Sequence, residues 1–140
     1  RAVVGAWVSA HQPQIVKELV DLLSIPNVAS DRANIRRNAE HLRGMLAARG
    51  FKAELLETSG NPLVYGELAV PGATRTLLLY SHYDVQPGSD PTKWDSPAFE
   101  PTVREGRMYG RGAADDKSGV VTHMNAGALS AFFRQSPAAL

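Results

Sequence analysis

The sequence contains no cysteine. That removes disulfides and thiolate metal ligands together, so any metal held by this chain is held by imidazole or carboxylate. It does not fix the compartment, because cytosolic and exported proteins alike can lack the residue. Charge of one sign is lacking too: 15 Lys and Arg against 14 Asp and Glu leave a net charge of +1. Such a weak field argues against nucleic acid or an anionic membrane as partner. There is no polybasic run, acidic tail or low-complexity stretch. No apolar run approaches the roughly 20 residues that cross a bilayer, so no membrane span is expected. Methionine is missing from the first position, where Arg1 stands, as expected after removal of a leader, a tag or an upstream segment.

What is present is one ordinary domain's worth of chain. Its 140 residues are 44% apolar and 21% charged, the composition of a globular protein able to bury a core. Residues 2–24 read as a helix with Trp7, Val8, Ile15, Val16, Leu19, Leu22 and Leu23 on one face. Pro13 inside it should kink the helix or begin its second half, and Ile25-Pro26-Asn27 should end it. A second helix is expected over about 32–49. Ile35, Ala39, Leu42, Met45 and Leu46 form its apolar stripe, Ser30 or Asp31 its cap, and Gly50 its end.

Strands are expected at 51–57, 62–69 and 75–80. The last, Thr76-Leu77-Leu78-Leu79-Tyr80, is a continuous apolar run suited to a strand buried on both faces. Residues 86–105 should form a long ordered loop of the kind that is usually functional when it is not disordered, with a short strand near 106–109. Helical periodicity returns from Ser118, with Val120, Val121, Met124, Ala128, Leu129, Phe132 and Phe133 on one face. Helices, then strands, then helix indicate α/β layering.

Two segments carry chemistry. In extended backbone, residues two apart point the same way, so His82 and Asp84 of His82-Tyr83-Asp84 project from one face. A carboxylate beside an imidazole is how metal-bound histidines are oriented, since it fixes the tautomer that offers the other nitrogen. The same tripeptide also suits a turn with an incidental His–Asp hydrogen bond. The second segment is Tyr109-Gly110-Arg111-Gly112-Ala113-Ala114-Asp115-Asp116-Lys117-Ser118-Gly119. Gly110 and Gly112 suggest a dinucleotide fingerprint, but Asp115 occupies its third glycine position and would repel a pyrophosphate. Lys117-Ser118 suggests a P-loop, but Asp116 replaces the glycine required before the lysine. Two adjacent carboxylates at a helix mouth suit a cation, and equally suit helix caps, where each contributes about 0.3–1 kcal/mol.

Taken together, these segments resemble the aminoacylase, carnosinase and carboxypeptidase-G family of co-catalytic zinc enzymes. The resemblance rests on Ser81-His82-Tyr83-Asp84-Val85-Gln86-Pro87, Trp94, Pro97-Ala98-Phe99-Glu100-Pro101, Gly106, Tyr109-Gly110-Arg111-Gly112 and Ala114-Asp115-Asp116-Lys117-Ser118-Gly119. The His-x-Asp-Val-Gln-Pro wording and the Asp-Asp-Lys triplet look closest to the dipeptidase branch. The resemblance implies a three-layer α/β/α fold with a mixed, mainly parallel sheet. It implies that His82 binds one zinc, that Asp115 bridges two, and that Asp84 orients His82 and supports the general base. It also implies a cis peptide after Asp115, with Gly110 and Gly112 permitting the loop's close approach. Cobalt or manganese would be substitutes for zinc. Arg111 and Lys117 are expected as structural ion-pair partners, Trp94 and Phe99 as loop anchors, and His11, His41 and His123 as ordinary helix residues.

The resemblance further implies what residues 1–140 would lack. The family completes its site with a Glu-Glu pair, another carboxylate and a distant histidine, yet no glutamate follows Glu105. The chain is therefore expected to be the N-terminal part of the catalytic domain, without the lid and dimerisation domain or the C-terminal half, and inactive alone. By the same resemblance the intact protein is expected to be a homodimer that hydrolyses dipeptides or N-acyl amino acids with metal-activated water and a glutamate base. The alternatives are a non-catalytic relative serving as a binding module and a nucleotide-binding domain built on Gly110 and Gly112.

Overall fold

The computed structural model describes the backbone of residues 2–135 and the side chains of residues 3–129. Within them lie three helices, α1 (Ala2–Leu23), α2 (Arg32–Ala48) and α3 (Lys117–Gln135). Two antiparallel hairpins accompany them. The first joins β1 (Lys52–Leu56) to β2 (Leu63–Glu67), with Lys52 opposite Glu67 and Leu56 opposite Leu63. The second joins β3 (Thr102–Arg104) to β4 (Arg107–Tyr109). Its two turn residues, Glu105 and Gly106, both have positive φ (50° and 73°), as a tight hairpin turn requires. Val28 and Val85 form an isolated parallel bridge.

The α2 stripe behaves as its periodicity predicts: Ile35, Ala39, Leu42 and Met45 are buried, and Asp31 caps the helix by accepting from the Asn34 amide. Helix α1 runs through Pro13 without a break. Around Pro13 the helix is exposed, so water can satisfy the carbonyl that proline leaves unpaired. Only the last turns of α1 reach the core. There Leu22 joins Leu42, Met45, Val120, Val121 and Met124, with Ile15, Leu19, Leu46, Val64 and Tyr83 packed around them. Each such side chain contributes about 1.5–3 kcal/mol by leaving water. Val8 and Val16, expected on the buried face, are exposed. Phe132 and Phe133 lie outside the described side chains.

One buried amino group ties the helices together. Lys117, the first residue of α3, is fully buried, and its Nζ donates to Leu22 O (2.7 Å) and Ile25 O (3.0 Å) at the end of α1. The last carbonyls of a helix have no partner within it, and here a side chain from another helix supplies one. The expected ion pair is corrected: Lys117 meets carbonyls, not a carboxylate.

The strand expected at 75–80 is also corrected. These residues form no ladder, and Leu77, Leu78 and Tyr80 are 81%, 86% and 81% exposed. An apolar run becomes a buried strand only when neighbouring strands supply hydrogen bonds and covering side chains; among the described residues none pairs with it. Loop 86–105 carries more structure than expected, a 3₁₀ turn at Pro91–Lys93 and strand β3. The fold is thus mixed α/β, and the observed ladders are antiparallel.

Two outcomes follow. Burial lowers the Lys117 pKa from 10.5 to about 7. Between those values the unfolded chain binds more protons than the folded one, so stability rises with pH from about 7 to about 10. Chemical denaturation across that range should show the rise, and Lys117→Met should flatten it. Leu78→Lys should change stability by less than about 0.5 kcal/mol, because the side chain touches little. The same change should reduce self-association through the apolar segment in sedimentation velocity.

Candidate metal centre

The fold brings together the residues singled out from sequence. His82, Asp84, Val85 and Gln86 form one wall of an open cleft of about 380 Å³, and Gly110–Asp115 form the other. Across it, His82 Nε2 lies 2.9 Å from Asp115 Oδ1, a contact spanning 33 residues of sequence. On the far side of the ring, His82 Nδ1 is 3.0 Å from the main-chain oxygen of Asp84 and 3.3 Å from its carboxylate. The main-chain oxygen is thus the nearer acceptor, and the carboxylate stands beside it. Burial alone would lower the His82 pKa. The hydrogen bonds to Asp115 and to the Asp84 carbonyl, with both carboxylate charges, outweigh it and raise the pKa.

Each wall has an identifiable support. Asn27, fully buried in the α1–α2 connection, donates from Nδ2 to Tyr83 O, and its main-chain carbonyl accepts from the Val85 amide at 3.1 Å. Tyr83 in turn donates its hydroxyl to Pro62 O at 2.6 Å. The glycine-rich wall is strapped to loop 86–101. Arg111 N donates to Ala98 O (2.6 Å), and Arg111 Nη2 donates to Pro87 O (3.2 Å). The Arg111 guanidinium lies 5.1 Å from the centre of the Trp94 ring, whose Nε1 donates to Gly88 O at 2.7 Å. Trp94 and Phe99 are half-buried. Arg111, expected in an ion pair, instead stacks on an aromatic face and donates to carbonyls.

The Asp115–Asp116 peptide is cis. The Asp116 carboxylate overlies Gly119, where a Cβ would collide with it. Of the two glycines read as permitting close approach, Gly112 needs to be glycine: its φ is +85°, and a Cβ would come within 3.0 Å of Val85 Cγ1 and 3.3 Å of Lys117 Cδ. A Cβ on Gly110 would meet only ordinary contacts.

The donors fit a metal in kind: an imidazole nitrogen and a carboxylate oxygen converge in a solvent-open cleft. They do not complete a site. Among the described residues no three His, Cys, Asp or Glu side chains are grouped to hold a metal, and zinc takes about four ligands. Sequence reasoning missed Asn27, read only as part of a helix stop, because nothing local links it to residues 83–85. It also set His123 aside, yet its Nδ1 is 2.9 Å from Ser81 Oγ.

Solved structures share this fold. An M20 family metallo-carboxypeptidase from Sulfolobus solfataricus superposes with TM-score 0.78 at 34% identity, over 81% of this chain and 26% of its own. A di-peptidase from Saccharomyces cerevisiae superposes at 0.82 with 26% identity, over 93% of this chain and 31% of its own. Human carnosine dipeptidase 1, at 23% identity and TM-score 0.78, covers 88% of this chain and 29% of its own, and shares the fold.

Residues 78–137 match the model described as "Peptidase family M20/M25/M40", so this part of the chain is similar to that family. Among curated proteins, a succinyl-diaminopimelate desuccinylase from Paracidovorax citrulli is 36% identical over 106 residues, 71% of this chain and 26% of that protein. A cysteinylglycine-S-conjugate dipeptidase from Corynebacterium striatum is 51% identical over 55 residues, 39% of this chain and 12% of that protein. The chain thus spans about a quarter of the length of the desuccinylase. The family resemblance read from sequence holds, with both dipeptidase and desuccinylase relatives.

Gly112→Ala should destabilise the chain by about 1–3 kcal/mol, the cost of a non-glycine residue held at this φ with a tight Cβ contact. Thermal denaturation measures it, and Gly110→Ala is the milder control.

Proposed function

We propose that this chain supplies part of the metal site of a zinc-dependent peptidase or amidohydrolase acting on dipeptides or N-acyl amino acids. The observation that carries the reading is the meeting of His82 Nε2 and Asp115 Oδ1 across the cleft. The kinship with dipeptidases, desuccinylases and a metallo-carboxypeptidase supports it. Bound zinc would lower the pKa of water and polarise the scissile carbonyl.

In this reading His82 would hold metal through Nε2, with Nδ1 donating towards the Asp84 main-chain oxygen, and Asp115 would hold it through its carboxylate. Asp84 keeps a negative charge behind the imidazole, orienting His82 and supporting the general base. Arg111, stacked on Trp94, holds the glycine-rich wall. Two donors do not saturate zinc, so the remaining ligands and the base come from outside residues 1–140, and the chain alone is inactive. In the complete catalytic domain, residues 75–80 would be a strand of a mixed, mainly parallel sheet between helical layers. Such sheets place their sites beyond the carboxyl ends of strands, as His82 and Asp84 stand relative to 75–80. A further domain and a homodimer belong to the same proposal.

The test is hydrolysis by the full-length protein on a panel of dipeptides and N-acyl amino acids, with chelator and zinc add-back. Zinc-restored turnover is expected, lost in His82→Ala and Asp115→Ala. Asp84→Asn should cost about 10–100-fold, as for other groups that orient a metal ligand. Because the main-chain acceptor survives that change, the loss should sit near the lower figure. Two bound zincs without turnover would call for other amide substrates. No zinc and no turnover would favour the non-catalytic binding module, and stabilisation by nucleotide in place of zinc would favour the nucleotide-binding domain.

A further inference from the structure

The segment carrying His82 is held unequally at its two ends. Beyond His82 the chain is pinned at Tyr83 O and Val85 N by buried Asn27, and at Val85 by the bridge to Val28. Before His82 there is little: residues 71–80 are exposed throughout and belong to no ladder. The side-chain contact that holds this end is Ser81 Oγ to His123 Nδ1, 2.9 Å, across 42 residues. His123 is half-buried on α3, between buried Val121 and Met124. It therefore stands on a helix already fixed by the core and by Lys117 at the end of α1.

The start of α3 adjoins Asp115 and Asp116, and the Val120 amide donates to Asp116 O at 3.1 Å. A single rigid helix thus presents Asp115 at its mouth and grips the residue next to His82 about two turns further on. The separation of His82 from Asp115 depends on both attachments. A side chain on a regular element is a more precise anchor than one on a loop.

We infer that His123 is a positioning residue: through the Ser81 hydroxyl it holds the His82 segment against α3 and sets the spacing between His82 and Asp115. It touches neither metal nor substrate. The consequence for metal affinity rests on the function proposed above; the tether itself does not.

The experiment uses the full-length protein in wild type, His123→Phe, His123→Asn and Ser81→Ala forms. Phenylalanine keeps the bulk and removes the hydrogen bond, while asparagine can restore it. In the metal-free protein, the imidazole ¹⁵N signals of His82 and amide exchange at residues 81–83 report the tether by NMR. His123→Phe and Ser81→Ala should shift those signals and speed that exchange by about tenfold, the amide of Val85 staying protected by Asn27. His123→Asn should restore wild-type values. Unchanged His82 signals and exchange in His123→Phe overturn the tether.

Zinc affinity by chelator competition and the visible spectrum of the cobalt form then test the consequence. His123→Phe should weaken zinc by about 10–100-fold and alter the cobalt spectrum, and His123→Asn should recover both. Equal effects of the two disrupting changes, no worse when combined, identify one shared contact. Wild-type affinity and spectrum in His123→Phe overturn the positioning role. A wild type that takes up no zinc overturns the proposed function instead, and the NMR result still decides the tether.

Discussion

The Lys117 amino group fixes the relation between two ends of the chain that are far apart in sequence. Its Nζ reaches Leu22 O and Ile25 O across more than ninety residues, from a position buried among apolar side chains. A charge taken out of water is costly unless its donors are met. Here the partners are carbonyls at a helix C-terminus, where the helix dipole favours a cation and the carbonyls lack intrahelical donors. Removing either side would leave the other unsatisfied. That mutual dependence seats the mouth of α3, and with it Asp115, against the end of α1.

From that attachment the cleft follows by short steps. The chain leaving α1 passes through Ile25 to Asn27, whose side chain and carbonyl hold Tyr83 and Val85. The chain entering α3 passes through Gly112, where any Cβ would press on both Val85 and Lys117. The two walls are therefore packed on one another through Val85, Gly112 and the stem of Lys117. His82 and Asp115 meet because their backbones are held by the same few residues, not because their own contact is strong. An imidazole–carboxylate pair this open to solvent contributes little to stability.

What was legible in the sequence was local. Helical periodicity located α1, α2 and α3 because a face of apolar residues is written at intervals of three and four. The Asp31 cap lay one residue from the helix that it starts. The His82-x-Asp84 and Asp115-Asp116 groups stood out because catalytic chemistry concentrates unusual residues in short windows. Contacts between windows were not legible. Nothing near Asn27 announces a partner at Tyr83, and nothing near His123 announces Ser81. Charge misleads in one consistent way: the sequence suggests carboxylate partners for Arg111 and Lys117, yet the side-chain hydrogen bonds of both go to main-chain carbonyls. The run at 75–80 shows the remaining limit. Its composition says that both faces suit burial but carries no information about what covers them.

The electrostatics of the cleft connect this architecture to the proposed chemistry. Burial opposes a charge on His82, and the carboxylates of Asp115 and Asp84 with the Asp84 carbonyl reverse that preference. The same groups that stabilise a proton on the imidazole would stabilise a metal cation in its place, and binding one would require the proton to leave. A helix cap would not need such an arrangement. For that role Asp115 need only face its own helix, whereas it faces a histidine from the opposite wall at 2.9 Å. The alternative of a turn with an incidental hydrogen bond likewise accounts for the Asp84 side of the ring and leaves Nε2 unexplained. Both ring nitrogens engage acceptors on two separately supported walls. That is the physical ground for reading the cleft as a cation site rather than as two unrelated local motifs.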